Sequence, residues 1–338
     1  MFKEVLNQLL NSQDLSHNTM LDVMRKVMAG ELSPVQISAF LIALRMKGET
    51  TVEIAAAATV MRELSTKVDI ANTRYLVDTC GTGGDGIQTF NISTASAFVA
   101  AAAGAAVAKH GGRSVSSTCG SADVLEALGV NVNLTPEQVA TCVNTIGIGF
   151  MFAPNHHSAM KHTAPVRCEL GVRTLFNLLG PLTNPAAARR QVMGVFDKGL
   201  TSKLANVLQK LGSQHVMVVH GADGMDEISF SEHTYVAELK NGVVKEYLLH
   251  PTQFGLSVHN VNSIQVKNTE ESKQMILSVL KADASLEIKP AREIVLLNAG
   301  AAIYVAGLAD TLQDAIKKAA MAIDSGAAYE KLAQLKAQ

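Results

Sequence analysis

Residues 75–103 read YLVDTCGTGGDGIQTFNISTASAFVAAAA, and this stretch decides the fold class. Its apolar start, residues 75–78, predicts a strand, and its alanine-rich end, residues 95–103, predicts a helix. Between them, four glycines in the six positions 81–86 let the backbone approach a ligand and turn its N–H groups toward it. A strand, a glycine loop and a helix in this order predict an anion site in an α/β fold.

The segment Asn91-Ile92-Ser93-Thr94 leads from the glycine loop into that helix. Ser93 or Thr94 is expected to cap the helix, whose N-terminus favours an anion. The spacing matches neither a Walker A loop, which needs a lysine, nor the GxGxxG motif of dinucleotide-binding folds. Taken alone, the segment also fits a flexible turn followed by an ordinary cap.

A second run favours phosphate binding over a plain turn. Residues 109–117 read KHGGRSVSS and follow a short apolar segment, residues 105–108, that predicts another strand. The cations Lys109 and Arg113 stand with a histidine, three serines and two glycines, which suits a multiply charged phosphate or pyrophosphate. A solvated loop usually mixes in acidic side chains, and this run has none. The two runs together predict a phosphate site.

A third run supplies carboxylates. Residues 221–227 read GADGMDE and follow an apolar strand predicted at residues 216–219. Adjacent carboxylates Asp226 and Glu227 at the end of a strand suit Mg²⁺, which is commonly held by one or two carboxylates together with ligand phosphates and water. A solvated acidic turn is the alternative for this run considered by itself.

The remaining chain divides into a helical start and an α/β body. Short helices predicted over the first seventy residues indicate a small bundle, and alternating strands and helices beyond residue 75 indicate an α/β domain with a mostly parallel central sheet. Residues 235–248, turning at Asn241-Gly242, predict an antiparallel hairpin at its edge. Residues 168–190 interrupt the alternation. We therefore predict a helical domain from residues 1–70 with 168–190, and an α/β domain from residues 71–167 with 191–338.

Composition limits the class of partner. The 338 residues are 48% hydrophobic and 17% charged, with a formal net charge of -1, so there is material for a core and no basic excess for a nucleic acid. Neither a signal peptide nor a membrane span is predicted. The four cysteines form no metal-type pair, which favours reduced thiols and a cytoplasmic location.

These motifs resemble those of the anthranilate phosphoribosyltransferases, within the nucleoside-phosphorylase-like phosphoribosyltransferase family. The similarity rests on the three runs above and continues through residues 153–157 (APNHH), 164–167 (APVR) and 176–185 (FNLLGPLTNP), so it spans nearly the whole chain in the right order. It implies transfer of the phosphoribosyl group of phosphoribosyl pyrophosphate to the amine of anthranilate, in tryptophan biosynthesis. It also implies Mg²⁺ as cofactor and a homodimer formed through the helical domain.

The resemblance implies a role for particular residues. Those expected around phosphoribosyl pyrophosphate are Gly81, Gly84, Asp85, Thr89, Asn91, Ile92, Ser93, Thr94, Lys109, His110, Gly111, Gly112, Arg113, Ser114, Val115, Ser116, Ser117 and Ser121. Those expected around anthranilate are Gly81, His110, Gly112, His157, Met160 and Arg167. Those expected to hold Mg²⁺ are Ser93, Asp226 and Glu227.

One departure from the family pattern concerns the acceptor. Many members have asparagine where this chain has Gly112, so an amide that would contact anthranilate is missing. For the reaction itself, Lys109 and Arg113 are expected to stabilise the departing pyrophosphate electrostatically, and no side chain is expected to act as a nucleophile. The alternatives are a nucleoside phosphorylase of the same fold and a non-catalytic relative that binds nucleic acid, the latter disfavoured by the lack of tryptophan and of basic excess.

Overall fold

The computed structural model describes residues 2–113 and 119–338. Its N-terminal part is a bundle of four helices, as predicted. Capping boxes begin two of them: at Ser33, for example, the hydroxyl accepts from the backbone N–H of Gln36, and the Gln36 side chain accepts from the N–H of Ser33. The bundle helices are α1 (Phe2–Leu10), α2 (His17–Ala29), α3 (Pro34–Lys47) and α4 (Thr51–Leu64).

The α/β part carries seven strands among the described residues. They are β1 (Leu76–Val77), β2 (Ala106–Gly111), β3 (Ile148–Phe152), β4 (Arg190–Gly194), β5 (His215–Gly221), β6 (Thr234–Lys240) and β7 (Val243–Leu249). The helices are α5 (Ile92–Ala102), α6 (Ser121–Ala127), α7 (Pro136–Thr145), α8 (Ala153–His156), α9 (Ala164–Leu170), α10 (Phe176–Leu179), α11 (Leu200–Lys210), α12 (Thr269–Leu280), α13 (Lys289–Ala306), α14 (Leu312–Asp324) and α15 (Ala327–Lys336). None of the helices in the described ranges combines the length and apolarity that a membrane crossing needs.

The strands form two ladders joined by a bridge. One ladder has the order β1-β2-β3 with parallel pairs, and the other has the order β4-β5-β6-β7. The bridge pairs Asp78 with Gln191 in parallel, so β1 and β4 are neighbours. The β4–β5 pair is also parallel, which confirms the prediction of a mostly parallel sheet.

The antiparallel edge is the predicted hairpin. Strands β6 and β7 pair through to Lys240 and Val243, and the turn between them consists of Asn241 and Gly242 at φ 54° and 75°. Both values lie in the left-handed region that asparagine and glycine tolerate best, as a two-residue hairpin turn requires. The hairpin prediction is therefore confirmed in position and in turn chemistry.

The predicted cap of α5 is wrong. The helix begins at Ile92, with Asn91 as its N-cap and no side-chain hydrogen bond closing the first turn. The Asn91 side chain instead donates to the carbonyl of Cys119 and accepts from the Ser272 hydroxyl. Ser93 and Thr94 therefore lie inside the helix, because tertiary contacts of Asn91 fix where the chain turns.

The two faces of the second ladder pack against two different hydrophobic cores. On β5, Met217 and Val219 pack in the core of the α/β part, whereas Val216 and Val218 pack with the helical bundle. This alternation follows from the two-residue period of a strand. The segment predicted to return to the bundle does contact it, since α9 packs on α3 and α10 packs on α4. The exact domain boundaries stay a prediction.

Candidate active site

A cavity of about 890 Å³ lies where the strand order reverses. The chain moves from β1 outward to β2 and β3, and then returns to the other side of β1 with β4. In open α/β sheets, such a reversal leaves a crevice at the carboxyl ends of the strands, and ligands bind there. The lining residues include Gly81 after β1, Lys109 near the end of β2, Gly194 at the end of β4, and the pair Asp226 and Glu227 after β5.

The glycine loop is held by the neighbouring strand ends. The N–H of Thr82 donates to the carbonyl of Gly194 at 2.9 Å, and the N–H of Gly83 donates to Asp226 Oδ2 at 2.8 Å. Gly83 and Gly84 have φ of 64° and 81°, a conformation that a side chain would strain. The loop therefore owes its shape to glycine at these positions and to partners on the second ladder.

Gly194 is a site residue that sequence reasoning did not select. A Cβ built on it would lie 1.4 Å from the backbone oxygen of Asp226, so the chain at Asp226 packs directly on the glycine. A Cβ on Gly81 would lie 2.9 Å from the Gly194 oxygen. Only the pairing of β4 beside β1 brings these backbones together. A glycine at the end of a predicted strand is the one local signal that could have indicated it.

Lys109 supplies a buried cation at the cavity. Its Nζ donates to the carbonyl of Thr79 at 3.1 Å, to the Thr79 hydroxyl at 3.3 Å and to the Ser93 hydroxyl at 3.1 Å. These acceptors are neutral, so among the described residues the ammonium group is oriented without a direct ion pair. The contact also ties β2 to the first turn of α5.

Asp78 is the carboxylate beneath this cation. Its two oxygens accept from the N–H of His110 at 3.2 Å and from the amide of Asn184 at 2.7 Å. Burial raises the pKa of Asp78 to about 6, although the Asn184 hydrogen bond and the charge of Lys109 act in the opposite direction. Asp78 thus contacts β2 through His110, the segment after α10 through Asn184, and the second ladder through its backbone bridge to Gln191.

The carboxylates opposite the glycine loop are half-buried at the cavity wall. Burial, followed by the nearby Asp85, raises the pKa of Asp226 to about 7, and burial and Asp226 raise the pKa of Glu227 well above its usual value. A cation beside such carboxyl groups would stabilise their ionised forms, and carboxylate oxygens are ligands that Mg²⁺ prefers. Across the two described ranges, no three His, Cys, Asp or Glu side chains surround one point.

Arg113 meets acidic side chains at the rim of the cavity. Its Nη1 lies 2.8 Å from Asp123 Oδ1 and 2.6 Å from Glu126 Oε2, and its Nη2 lies 2.8 Å from Glu126 Oε1. These bonds, led by those to Glu126, raise the pKa of Arg113. The predicted contacts of Ser114, Val115, Ser116 and Ser117 lie outside the described residues.

The histidines on the predicted acceptor side are buried and uncharged. The rings of His110 and His157 meet edge to face with centroids 5.2 Å apart. Burial, with the neighbouring histidines, lowers the pKa of His110 to about 3 and that of His157 to about 4. The ring nitrogens of both are buried and have no hydrogen-bond partner of good geometry among the described residues.

The structure brings most of the predicted site residues to the cavity. The lining includes Gly81, Gly84, Asp85, Thr89, Asn91, Ile92, Ser93, Lys109, His110, Gly111, Gly112, Arg113, Ser121, Arg167, Asp226 and Glu227. Three predicted residues, Thr94, His157 and Met160, are not in the lining. His157 lies behind His110, and Thr94 borders a separate small space beside Phe98.

Two further features of the lining concern the acceptor side. Arg167 is half-buried, its guanidinium lies 5.4 Å from the centre of the Phe176 ring, and burial lowers its pKa. A Cβ added at Gly112 would have no heavy atom within 4 Å, whereas one added at Gly111 would lie 2.2 Å from the Ser121 hydroxyl. Among the described residues, therefore, nothing occupies the space beside the Gly112 Cα.

Comparison with known proteins identifies the family. Residues 3–65 match the model of the glycosyl transferase family, helical bundle domain, and residues 73–329 match that of the glycosyl transferase family, α/β domain. The chain is 65% identical to the anthranilate phosphoribosyltransferase of Methylobacillus flagellatus over 335 residues, 99% of this chain and 97% of that protein.

Solved structures agree with the sequence comparison. The crystal structure of the Thermus thermophilus anthranilate phosphoribosyltransferase superposes with a TM-score of 0.91 at 42% identity, covering 98% of each chain. The Saccharomyces cerevisiae enzyme, in complex with PRPP and Mg, superposes with a TM-score of 0.89 at 28% identity, covering 99% of this chain and 96% of that one. With this fold, this cavity and these relatives, the chain belongs to the anthranilate phosphoribosyltransferase family.

Proposed function

We propose that the cavity binds phosphoribosyl pyrophosphate and anthranilate together and transfers the phosphoribosyl group to the amine of anthranilate, releasing pyrophosphate in tryptophan biosynthesis. The observation that carries the proposal is the convergence of the glycine loop, Lys109 and the Asp226–Glu227 pair on one cavity at the strand-order reversal. Each part suits a different portion of a metal-bound phosphate ester. The family relationship supports the choice of donor and acceptor.

The donor lies along the first ladder in this proposal. The glycine loop and the start of α5 offer backbone N–H groups to the phosphates. Lys109, whose Nζ is oriented by Thr79 and Ser93, places a positive charge beside the leaving pyrophosphate. Arg113 is the second cation, and its bonds to Asp123 and Glu126 hold it at the rim of the same cavity.

Asp226 and Glu227 hold Mg²⁺ in this proposal, with the Ser93 hydroxyl close by. A bound Mg²⁺ would supply neutralising charge to the pyrophosphate oxygens. The carboxylates fit that role because burial and neighbouring carboxylates raise their pKa values, and a bound cation would stabilise their ionised forms. The yeast relative in complex with PRPP and Mg supports the choice of metal.

Anthranilate occupies the side lined by Gly81, His110, Gly112 and Arg167. The half-buried guanidinium of Arg167 is suited to the acceptor's carboxylate. His110 lines this side, and its neutral ring adds no charge beside the amine. His157 supports His110 from behind, and the backbone N–H of Met160 donates to the carbonyl of His157, so both act indirectly.

The chemistry needs charge stabilisation and alignment more than an activated nucleophile. The aromatic amine is already neutral at pH 7, and the bond from the sugar to the pyrophosphate weakens as positive charge builds on the ring. Lys109 stabilises the departing anion, and the cavity walls align the amine with the reacting carbon. The proton that the amine loses when the new N–C bond forms passes to water in this scheme. No side chain forms a covalent bond to the sugar in this scheme.

We also propose a homodimer and a cytoplasmic location. Cys80, Cys142 and Cys168 are free thiols, which suits a reducing compartment. Apolar side chains exposed on the helical bundle support self-association.

The test follows the fluorescence of anthranilate with the purified chain, phosphoribosyl pyrophosphate and Mg²⁺, where we expect the signal to fall with time. Lys109→Met should lower kcat/KM for the donor by about 100-fold, the size typical of losing a charge contact to a transition state. Lys245→Met, at an exposed lysine on β7 outside the cavity, is the matched control and should retain activity.

Other outcomes would contradict the proposal. Steady fluorescence at high enzyme concentration, together with cleavage of a pyrimidine nucleoside by free phosphate, would favour a nucleoside phosphorylase. Full activity of a folded Lys109→Met protein would place the pyrophosphate elsewhere.

A further inference from the structure

Arg173 crosses the mouth of the cavity from the loop between α9 and α10. Its Nη2 donates to the carbonyl of Gly84 in the glycine loop. Its guanidinium also stacks on Phe196, with Cζ 4.0 Å from the ring centre, and Phe196 follows β4. Arg173 therefore touches the loops after two neighbouring strands, one from each ladder, and it lines the cavity itself.

The backbone of Arg173 is fixed on the helical side. Arg45, on α3 of the bundle, donates its Nη1 to the carbonyl of Arg173. The next residue, Thr174, donates its N–H to the side chain of Asn177 at 2.9 Å. The main chain of Arg173 is thus attached to helices, while its guanidinium is attached to the α/β loops. This one residue spans the cavity mouth.

The bond to Gly84 has a consequence for the loop's amides. A peptide unit is planar and trans, so its carbonyl and the following N–H point in opposite directions. By holding the Gly84 carbonyl, Arg173 fixes the direction of the N–H of Asp85. Gly84 has φ 81°, and glycine on its own allows many orientations, so this peptide needs an external partner to keep a single one.

We propose that Arg173 is a positioning residue for the donor: it ties the helical side to the glycine loop and orients the Gly84–Asp85 peptide for phosphate binding. This inference rests on the proposed placement of the donor along that loop. The side chain of Arg173 is exposed. It contacts a neutral carbonyl and an aromatic ring, so these contacts do not neutralise its positive charge. Its contribution to donor binding is orientation of the loop backbone.

The test compares Arg173→Ala with Arg173→Lys. We expect Arg173→Ala to raise KM for phosphoribosyl pyrophosphate about three- to tenfold, the effect of losing one ordinary hydrogen bond. KM for anthranilate and the melting temperature should stay close to wild type, because the side chain is exposed. Arg173→Lys keeps a donor and a cation over the ring, so it should recover part of the loss. Arg189→Ala, at an exposed arginine outside the lining, is the control and should match wild type.

A double-mutant cycle with Phe196→Leu tests the mechanism. If the ring acts by holding Arg173, the effects of Arg173→Ala and Phe196→Leu on donor KM will be less than additive. An unchanged donor KM in Arg173→Ala, alongside a strong effect of Lys109→Met, would overturn the role of Arg173 and leave the donor site standing. If neither variant affected the donor, the placement of the donor would be wrong and this inference with it.

Discussion

Asp226 links the site to the stability of the fold. In the folded chain its pKa lies near 7, raised by burial and then by Asp85, whereas an unfolded aspartate titrates near 3.8. Between these values the folded state keeps a proton that the unfolded state releases. Stability contributed by this group is therefore present below about pH 4 and is lost as pH rises toward about 7. A cation beside the carboxylate reverses this loss.

Asp226→Asn should remove that dependence. We expect the free energy of unfolding of wild type, measured by urea without divalent ions, to fall relative to the variant as pH rises from about 4.5 to about 7.5. The lowered pKa values of His110 and His157 make the free energy of unfolding fall toward acid, which is the opposite direction. Both proteins contain these histidines, so their contribution cancels in the difference between the two free energies.

Mg²⁺ provides the companion measurement. It should raise the melting temperature of wild type more at about pH 8 than at about pH 5.5, since only the ionised carboxylate binds it. The same addition should have little effect on Asp226→Asn. The raised pKa of Asp226 would be contradicted if the difference in free energy of unfolding between the two proteins did not change with pH. It would also be contradicted if Mg²⁺ raised both melting temperatures equally.

At single residues, position along a strand was enough to predict which side chains lie at the cavity, while their roles in binding stay a prediction. Lys109 lies near the C-terminal end of β2 and the Asp226–Glu227 pair follows β5, and parallel strands bring such residues to one edge. The acidic partners of Arg113 could not be predicted in the same way, because Asp123 and Glu126 lie on a helix whose orientation depends on packing. The same reason explains why His157 and Met160 lie outside the lining.

At the scale of elements, Gly194 controls how β4 meets the loop after β5. Gly194→Ala places a Cβ 1.4 Å from the Asp226 oxygen, so the backbone there must move. We expect this variant to lose about 1–3 kcal/mol in urea unfolding, typical of an overpacked site. Donor KM should rise as well, since Gly83 is bonded to Asp226.

Gly180→Ala is the matched control, because Gly180 has right-handed helical angles and a Cβ added there would have no heavy atom within 4 Å. Its stability should equal that of wild type or exceed it slightly. Equal stabilities for both alanine variants would show that the loop relaxes freely, against the close packing described above.

Local sequence patterns predicted which segments form helices and strands, but they did not always predict the residue at which a helix begins. The Asn241-Gly242 turn depends on neighbours in sequence, and it was correctly predicted. The start of α5 depends on the contacts of Asn91 with Cys119 and Ser272, which are distant in sequence. The sharing of one ladder between two cores is likewise a property of packing, not of any short segment.

For the whole molecule, the helical bundle presents an apolar stripe. Val35 and Met46 are 78% and 83% exposed on α3, and Leu10 is 66% exposed on α1. Val35 and Met46 are separated by about three helical turns, so they share a face. Met46→Glu should therefore shift the proposed dimer toward monomer in multi-angle light scattering.

Leu286→Glu controls for charge and exposure, since Leu286 is 85% exposed and lies outside the bundle. It should leave the mass unchanged. A monomeric wild type, or an equal effect of both substitutions, would argue against association through the bundle.

The bridge between Asp78 and Gln191 has one more consequence. The phosphate loop and Lys109 belong to the first ladder, while Asp226 and Glu227 belong to the second. The separation of positive and negative charge across the cavity therefore depends on the angle between the two half-sheets, which the packing beneath the junction sets. Substitutions under the sheet would therefore change that separation while every side chain that lines the cavity is retained.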